Sequence, residues 1–157
     1  MTQKSLSVLL RLLVAIAGAA LIWVSVLLIR YGRLLCEQRG QEQLFLPGLI
    51  VLVLMALAVA AALILAWRIF ASIGQDRSFS HENARRLKFI SGLACGDTVA
   101  CLLALPILRL VTEVSPFTML ALLVLAFGGL CLTVVSASLS HLVQKAADLK
   151  QEQELTI

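Results

Sequence analysis

Residues 68–88 read R-I-F-A-S-I-G-Q-D-R-S-F-S-H-E-N-A-R-R-L-K, the one long polar interruption in a chain that is otherwise almost wholly apolar. The stretch carries five of the thirteen Lys and Arg residues. Two long hydrophobic runs lie on each side of it. The chain therefore divides into two helical hairpins joined by a basic connector.

Hydrophobic residues make up 61% of the 157 residues, against roughly 45–50% in soluble domains, and the mean hydropathy is +0.99. The excess lies in uninterrupted runs long enough to cross a bilayer, which a water-soluble core does not need. These features predict one all-α membrane domain over 1–157, an integral membrane bundle of four transmembrane helices near 10–30, 44–68, 88–109 and 117–142. A connector at 69–87 and a tail at 145–157 complete it. The formal charge of +4 fits basic residues at membrane borders, so the expected partner is the lipid bilayer and direct nucleic-acid binding is not expected.

The first uncharged run, 12–29, is flanked by Lys4 and Arg11 before it and by Arg30 and Arg33 after it. No small-x-small cleavage site follows it, and Leu34 and Leu35 before Cys36 do not suit a lipoprotein cleavage site, so the run is expected to stay as a helix. A short loop with Tyr31, Glu37, Arg39 and Glu42 is expected next. The second run, 43–67, is charge-free, with Pro47 in its first turn and Trp67 and Arg68 at its interfacial end.

Within the connector, Gly74 suits a helix stop. Ser80 suits the N-cap of the next helix, with its hydroxyl placed for the backbone N–H of Glu82 or Asn83. Glu82 complements the helix dipole, and Phe79 stands where an apolar residue packs back on the first turns. The third helix then runs through Arg85, Arg86 and Lys88, a basic extension for anionic headgroups or for water, and is expected to end near Pro106 and Arg109. The fourth run, uncharged from 114 to 144, exceeds the roughly 20 residues a crossing needs and must tilt or protrude. His141 near its end has no other His or Cys spaced to join it in binding a metal.

With four crossings, both termini and the connector share one side. That side carries nine Lys and Arg residues against four on the other, so it is expected to be the cytoplasmic face of the cell membrane. Cys36, Cys95, Cys101 and Cys131 contain no C-x-x-C pair, and the last three lie in apolar runs. They read as small packing residues, not as a disulfide framework.

Asp97 is the only acid well inside a crossing, about 13 Å beyond Lys88 along the third helix. An intramembrane carboxylate marks a candidate functional site. The competing reading is a hydrogen-bonded carboxyl that fastens two helices, with Thr133 or Ser136 at a suitable depth on the fourth crossing. Gly92, Gly96, Ala100 and Ala104 recur every four residues. This smooth stripe suits close helix packing, either within the chain or in a homo-oligomer. No phosphate-cradling loop, H-E-x-x-H or nucleophile elbow is present, so no enzyme activity, cofactor or metal is expected.

The connector G-Q-D-R-S-F-S-H-E-N-A-R-R-L-K, with Gly74, Phe79, Ser80, Glu82, Asn83 and Leu87, resembles the signature of the bacterial domain-of-unknown-function family 2975, small proteins with four predicted membrane helices. The ending D-L-K-Q-E-Q-E-L-T-I, closing in Leu155, Thr156 and Ile157, is similar to that family's acidic tail. Gln75, Asp76 and Arg77 make this connector more polar than the family's usual proline-containing version. Members are often encoded beside a helix-turn-helix regulator, so the resemblance implies a cytoplasmic regulatory partner and no known reaction. Two functions are thus carried forward. One is an interaction or regulatory protein that binds a partner through connector and tail, and the other is a small transporter or channel using Asp97.

Overall fold

The computed structural model describes residues 3–40, 42–73, 80–111 and 116–155. They form four helices, α1 (Gln3–Arg39), α2 (Phe45–Ile73), α3 (His81–Val111) and α4 (Pro116–Leu155), with a short 3-10 turn at Glu42–Leu44 before α2. All four are long and apolar enough to cross a membrane. The all-helical membrane class expected from hydropathy is therefore what the chain adopts.

The helices outrun the hydrophobic stretches. With 40 residues α4 is about 60 Å long, twice the roughly 30 Å of a bilayer core. The segment with Tyr31, Glu37 and Arg39, expected as a loop from its charges, is instead the last turns of α1. Charge alone does not end a helix, and Arg33 and Glu37 support it as an i, i+4 pair at 3.1 Å. α1 stops where Gly40 takes a φ of +63° and its amide donates to the Glu37 carbonyl at 3.3 Å, a left-handed exit that glycine adopts without strain. Pro106, expected near the end of the third helix, lies inside α3, which continues to Val111.

Packing runs in sequence: α1 on α2, α2 on α3, and most extensively α3 on α4. Large apolar side chains such as Ile22, Trp23, Leu54 and Phe127 face outward, as a lipid solvent requires. Lipid does not drive helices together as water does, so the helix contacts must rest on small side chains and hydrogen bonds.

The α3–α4 seam meets that condition. On α3, Ala84, Ser91 and Thr98 are buried at intervals of seven residues, with Ala94 and Cys101 buried between and beyond them. On α4, Ala126, Ser136, Ser140 and Ala147 are buried in a matching three- and four-residue rhythm, with Gly129 and Thr133 half-buried on the same stripe. This is the heptad spacing that helix pairs use, written in small residues in place of leucines. Among the described residues two hydroxyls cross the seam: Ser91 donates to the Thr133 carbonyl at 3.0 Å, and Ser140 to the Ala84 carbonyl at 2.7 Å. The helices approach closely at Gly129, where a Cβ would overlap the Thr98 hydroxyl.

One open choice about packing is narrowed here, and one expectation is corrected. Gly92 and Gly96 are exposed, and a Cβ on either would meet nothing within 4 Å. The stripe they form with Ala100 and Ala104 is therefore not the face of α3 that packs on α4. Among the cysteines in apolar runs, only Cys101 is buried in the seam; Cys95 and Cys131 face outward, and all four are free thiols.

Candidate functional site

Where the connector meets the bundle, the first turn of α3 organises a polar junction. Ser80 precedes the helix as its N-cap: its hydroxyl accepts the Asn83 amide at 3.3 Å, and its carbonyl accepts the Ala84 amide at 3.1 Å. The cap satisfies an amide that the helix leaves unpaired. Turning Asn83 inward also leaves that side chain only 1% exposed, the largest fully buried side chain among the described residues.

From Asn83 a relay of hydrogen bonds runs in both directions. Its carboxamide nitrogen donates to the Ser72 hydroxyl at 2.5 Å, and Ser72 donates onward to the Ile69 carbonyl at 2.7 Å. On the other side, Arg86 donates to the Asn83 carboxamide oxygen at 3.2 Å and pairs with Glu82 one turn earlier. The carboxamide suits this position because it offers a donor to α2 and an acceptor to Arg86 at once. A half-buried guanidinium held in this way is committed to the fold and is not free for headgroups. Arg85 and Lys88 remain exposed, and Arg85 lies over the Phe89 ring at 5.8 Å.

The outer helices join the same end. Ser7 of α1 donates to the Phe70 carbonyl at 2.8 Å, one of the last carbonyls of α2 and so without a partner in its own helix. From α4, Ser140 reaches Ala84 at 2.7 Å, and Asp148 lies 3.6 Å from His81 Nε2. All four helices thus place polar side chains at one end.

Of the residues expected to matter, Ser80, Glu82, Asn83 and Arg86 come together here. Gly74, Phe79, Thr156 and Ile157 lie outside the described residues, and Leu155 is the last residue of α4. Asp97 is separate, fourteen residues beyond Asn83 on α3, about 21 Å along the axis. Its expected tether is not made: Thr133 donates to the Gly129 carbonyl of its own helix at 2.8 Å. Among the described residues no hydrogen bond or ion pair reaches the Asp97 carboxylate from Thr133 or Ser136. The register of the seam explains this, because Ser91 and Thr98 occupy the inward positions on α3 and Asp97 sits beside that line.

Sequence reasoning did not find Ser7, Ser72, Ser140 or Asp148. The available signal was a serine at the polar border of each apolar run, where a hydroxyl can serve a neighbouring helix end. Among the described residues, no three His, Cys, Asp or Glu side chains gather as a metal site.

Over residues 36–157 the chain matches the family described as protein of unknown function DUF2975. The matched region takes in the junction residues of α2, α3 and α4 and leaves most of α1 outside. The uncharacterized membrane protein YoaS of Bacillus subtilis is 29% identical over 98 residues, which cover 61% of this chain and 61% of that relative. The chain thus spans less than two thirds of the relative's length. No solved structure matches. A match over more than half the chain, together with four apolar spans, places this protein in the DUF2975 family of membrane proteins.

Proposed function

We propose that the protein is a non-catalytic interaction protein of the cell membrane. Its connector and the end of α4 face the cytoplasm and bind a soluble partner, a regulator of helix-turn-helix type, holding it at the bilayer. The observation that carries this reading is the joining of the polar ends of α3 and α4 into one unit by Ser140 on Ala84 and Asp148 beside His81. α4 is long enough to stand well clear of the hydrocarbon core, and the α3 extension with Arg85 and Lys88 stands beside it. A docked helix pair offers a soluble protein a surface with a fixed shape, and the exposed Lys145 and Lys150 of α4 add charge to it. The nine-to-four distribution of Lys and Arg supports the cytoplasmic assignment of this end.

Affinity capture tests the reading, comparing the intact protein with a variant that lacks residues 148–157. The intact protein is expected to retain a helix-turn-helix protein that the truncated one loses. Recovery of the same proteins by both would remove the recruiting role.

A second reading, a small transporter or channel, draws support from Asp97, a half-buried intramembrane carboxylate with no hydrogen bond or ion pair among the described residues. Ion flux in proteoliposomes separates the two. Flux lost in Asp97→Asn favours transport, and unchanged flux removes it.

A further inference from the structure

We propose that the α1–α2 interface holds an anionic phospholipid, with its phosphate on Arg11 and Arg68 and an acyl chain in the groove beside Trp67. One turn deeper than the Ser7 to Phe70 hydrogen bond, the Arg11 guanidinium lies over the Trp67 ring, 5.9 Å from its centroid. Arg11 Nε is buried and finds no hydrogen-bond partner among the described residues. A buried guanidinium N–H without an acceptor is unfavourable, and the ring face offers none in its plane. A carboxylate from the two helices themselves is not at hand. Neither α1 before Glu37 nor any part of α2 contains an acidic residue.

Beside this pair runs an open groove of about 240 Å³, lined by Val14, Leu63, Ile64, Trp67 and Arg68. Its walls are apolar except for Arg68. Apolar walls with the Arg68 cation among them, and the Arg11 guanidinium over the adjoining Trp67 ring, match an amphiphile that has an acyl chain and an anionic headgroup, and they do not match a free inorganic anion. Trp67 suits the headgroup level, where indole rings settle. Basic pockets between membrane helices are a recognised setting for anionic headgroups. Arg11 reaches this site from α1, outside the connector whose Arg86 is already paired.

The chain contains two tryptophans, and Trp23 faces outward on α1, so Trp23→Phe leaves Trp67 as the sole reporter. The protein is reconstituted in phosphatidylcholine vesicles containing a small fraction of brominated lipid, either phosphatidylglycerol or phosphatidylcholine, and quenching of Trp67 is followed. Brominated phosphatidylglycerol is expected to quench at a mole fraction about 25-fold lower, with each of the two guanidiniums contributing roughly fivefold. Arg11→Gln with Arg68→Gln is expected to bring the two lipids to parity, and Arg11→Lys with Arg68→Lys to keep most of the preference. Should the double Gln variant fail to fold, Arg68→Gln alone, at an exposed position, is expected to lose its fivefold share. Equal quenching by the two lipids in the parent protein overturns the proposal, as does a preference that survives Arg68→Gln undiminished. Inorganic phosphate added to vesicles of phosphatidylcholine alone is expected to leave Trp67 emission unchanged, and a saturable change would overturn the lipid assignment.

Discussion

The Asn83 carboxamide donates to the Ser72 hydroxyl at 2.5 Å, joining the first turn of α3 to the last turn of α2 across the connector. Because Asn83 also accepts from Arg86, its replacement removes two hydrogen bonds at once. Asn83→Leu is expected to cost about 1–3 kcal/mol, since Ser72 and Arg86 each lose a partner. Thermal unfolding in mild detergent measures it. A double-mutant cycle of Asn83→Ala with Ser72→Ala that shows no coupling would refute the link.

Ser80 supports the same turn from outside it. Ser80→Ala is expected to cost about 1 kcal/mol, while Ser80→Asp keeps an acceptor, suits the helix dipole and is expected to be tolerated. Hydrogen exchange at the amides of Asn83 and Ala84 reads the effect locally. Equal protection in Ser80→Ala and the parent would show that the cap contributes nothing.

The close approach of α3 and α4 depends on Gly129. A Cβ there would overlap the Thr98 hydroxyl, yet it would lie 3.5 Å from the Thr98 Cβ, an ordinary contact. Gly129→Ala is therefore expected to cost about 1–3 kcal/mol by overpacking, and Thr98→Ala in the same chain to restore much of the loss. Gly92→Ala and Gly96→Ala meet open space and are expected to be neutral or to gain up to about 1 kcal/mol from helix propensity. Unfolding midpoints for the three glycine variants decide the matter. A cost at Gly92 or Gly96 equal to that at Gly129 would place the seam on the wrong face of α3.

Asp97 makes no bond to Thr133 or Ser136, so Asp97→Leu removes no tether between the helices. Leucine at this site is expected to leave stability in detergent equal to that of Asp97→Asn or above it. A larger loss with leucine than with asparagine would restore the tether that the structure does not show.

The proposed orientation rests on charge and is tested without regard to the fold. Membrane-impermeant thiol labelling of intact cells is expected to reach Cys36 and to spare the new thiol of Gln75→Cys. Labelling at position 75 from outside would reverse the proposed topology.

The sequence by itself determined the number of crossings, the start of α3 at Ser80 and the excess length of α4, because these depend on interactions within a turn or two of one chain segment. Hydropathy marks a crossing without reference to any neighbour, and a serine caps the helix that follows it wherever that helix later packs. The packing faces lie beyond such reasoning. In a lipid-soluble helix every face is apolar, so the polar and apolar alternation that betrays a buried side in water carries no signal. α3 holds two stripes of small residues, one through Gly92 and Gly96 and one through Ala84, Ser91 and Thr98, and nothing local chooses between them. Only the register against α4 does so, by setting Gly129 on Thr98 and the hydroxyls of Ser91 and Ser140 on carbonyls of the facing helix. The same dependence on a partner hid the roles of Ser7, whose hydroxyl reaches a carbonyl 63 residues away, and of Ser72, which meets Asn83 across the connector.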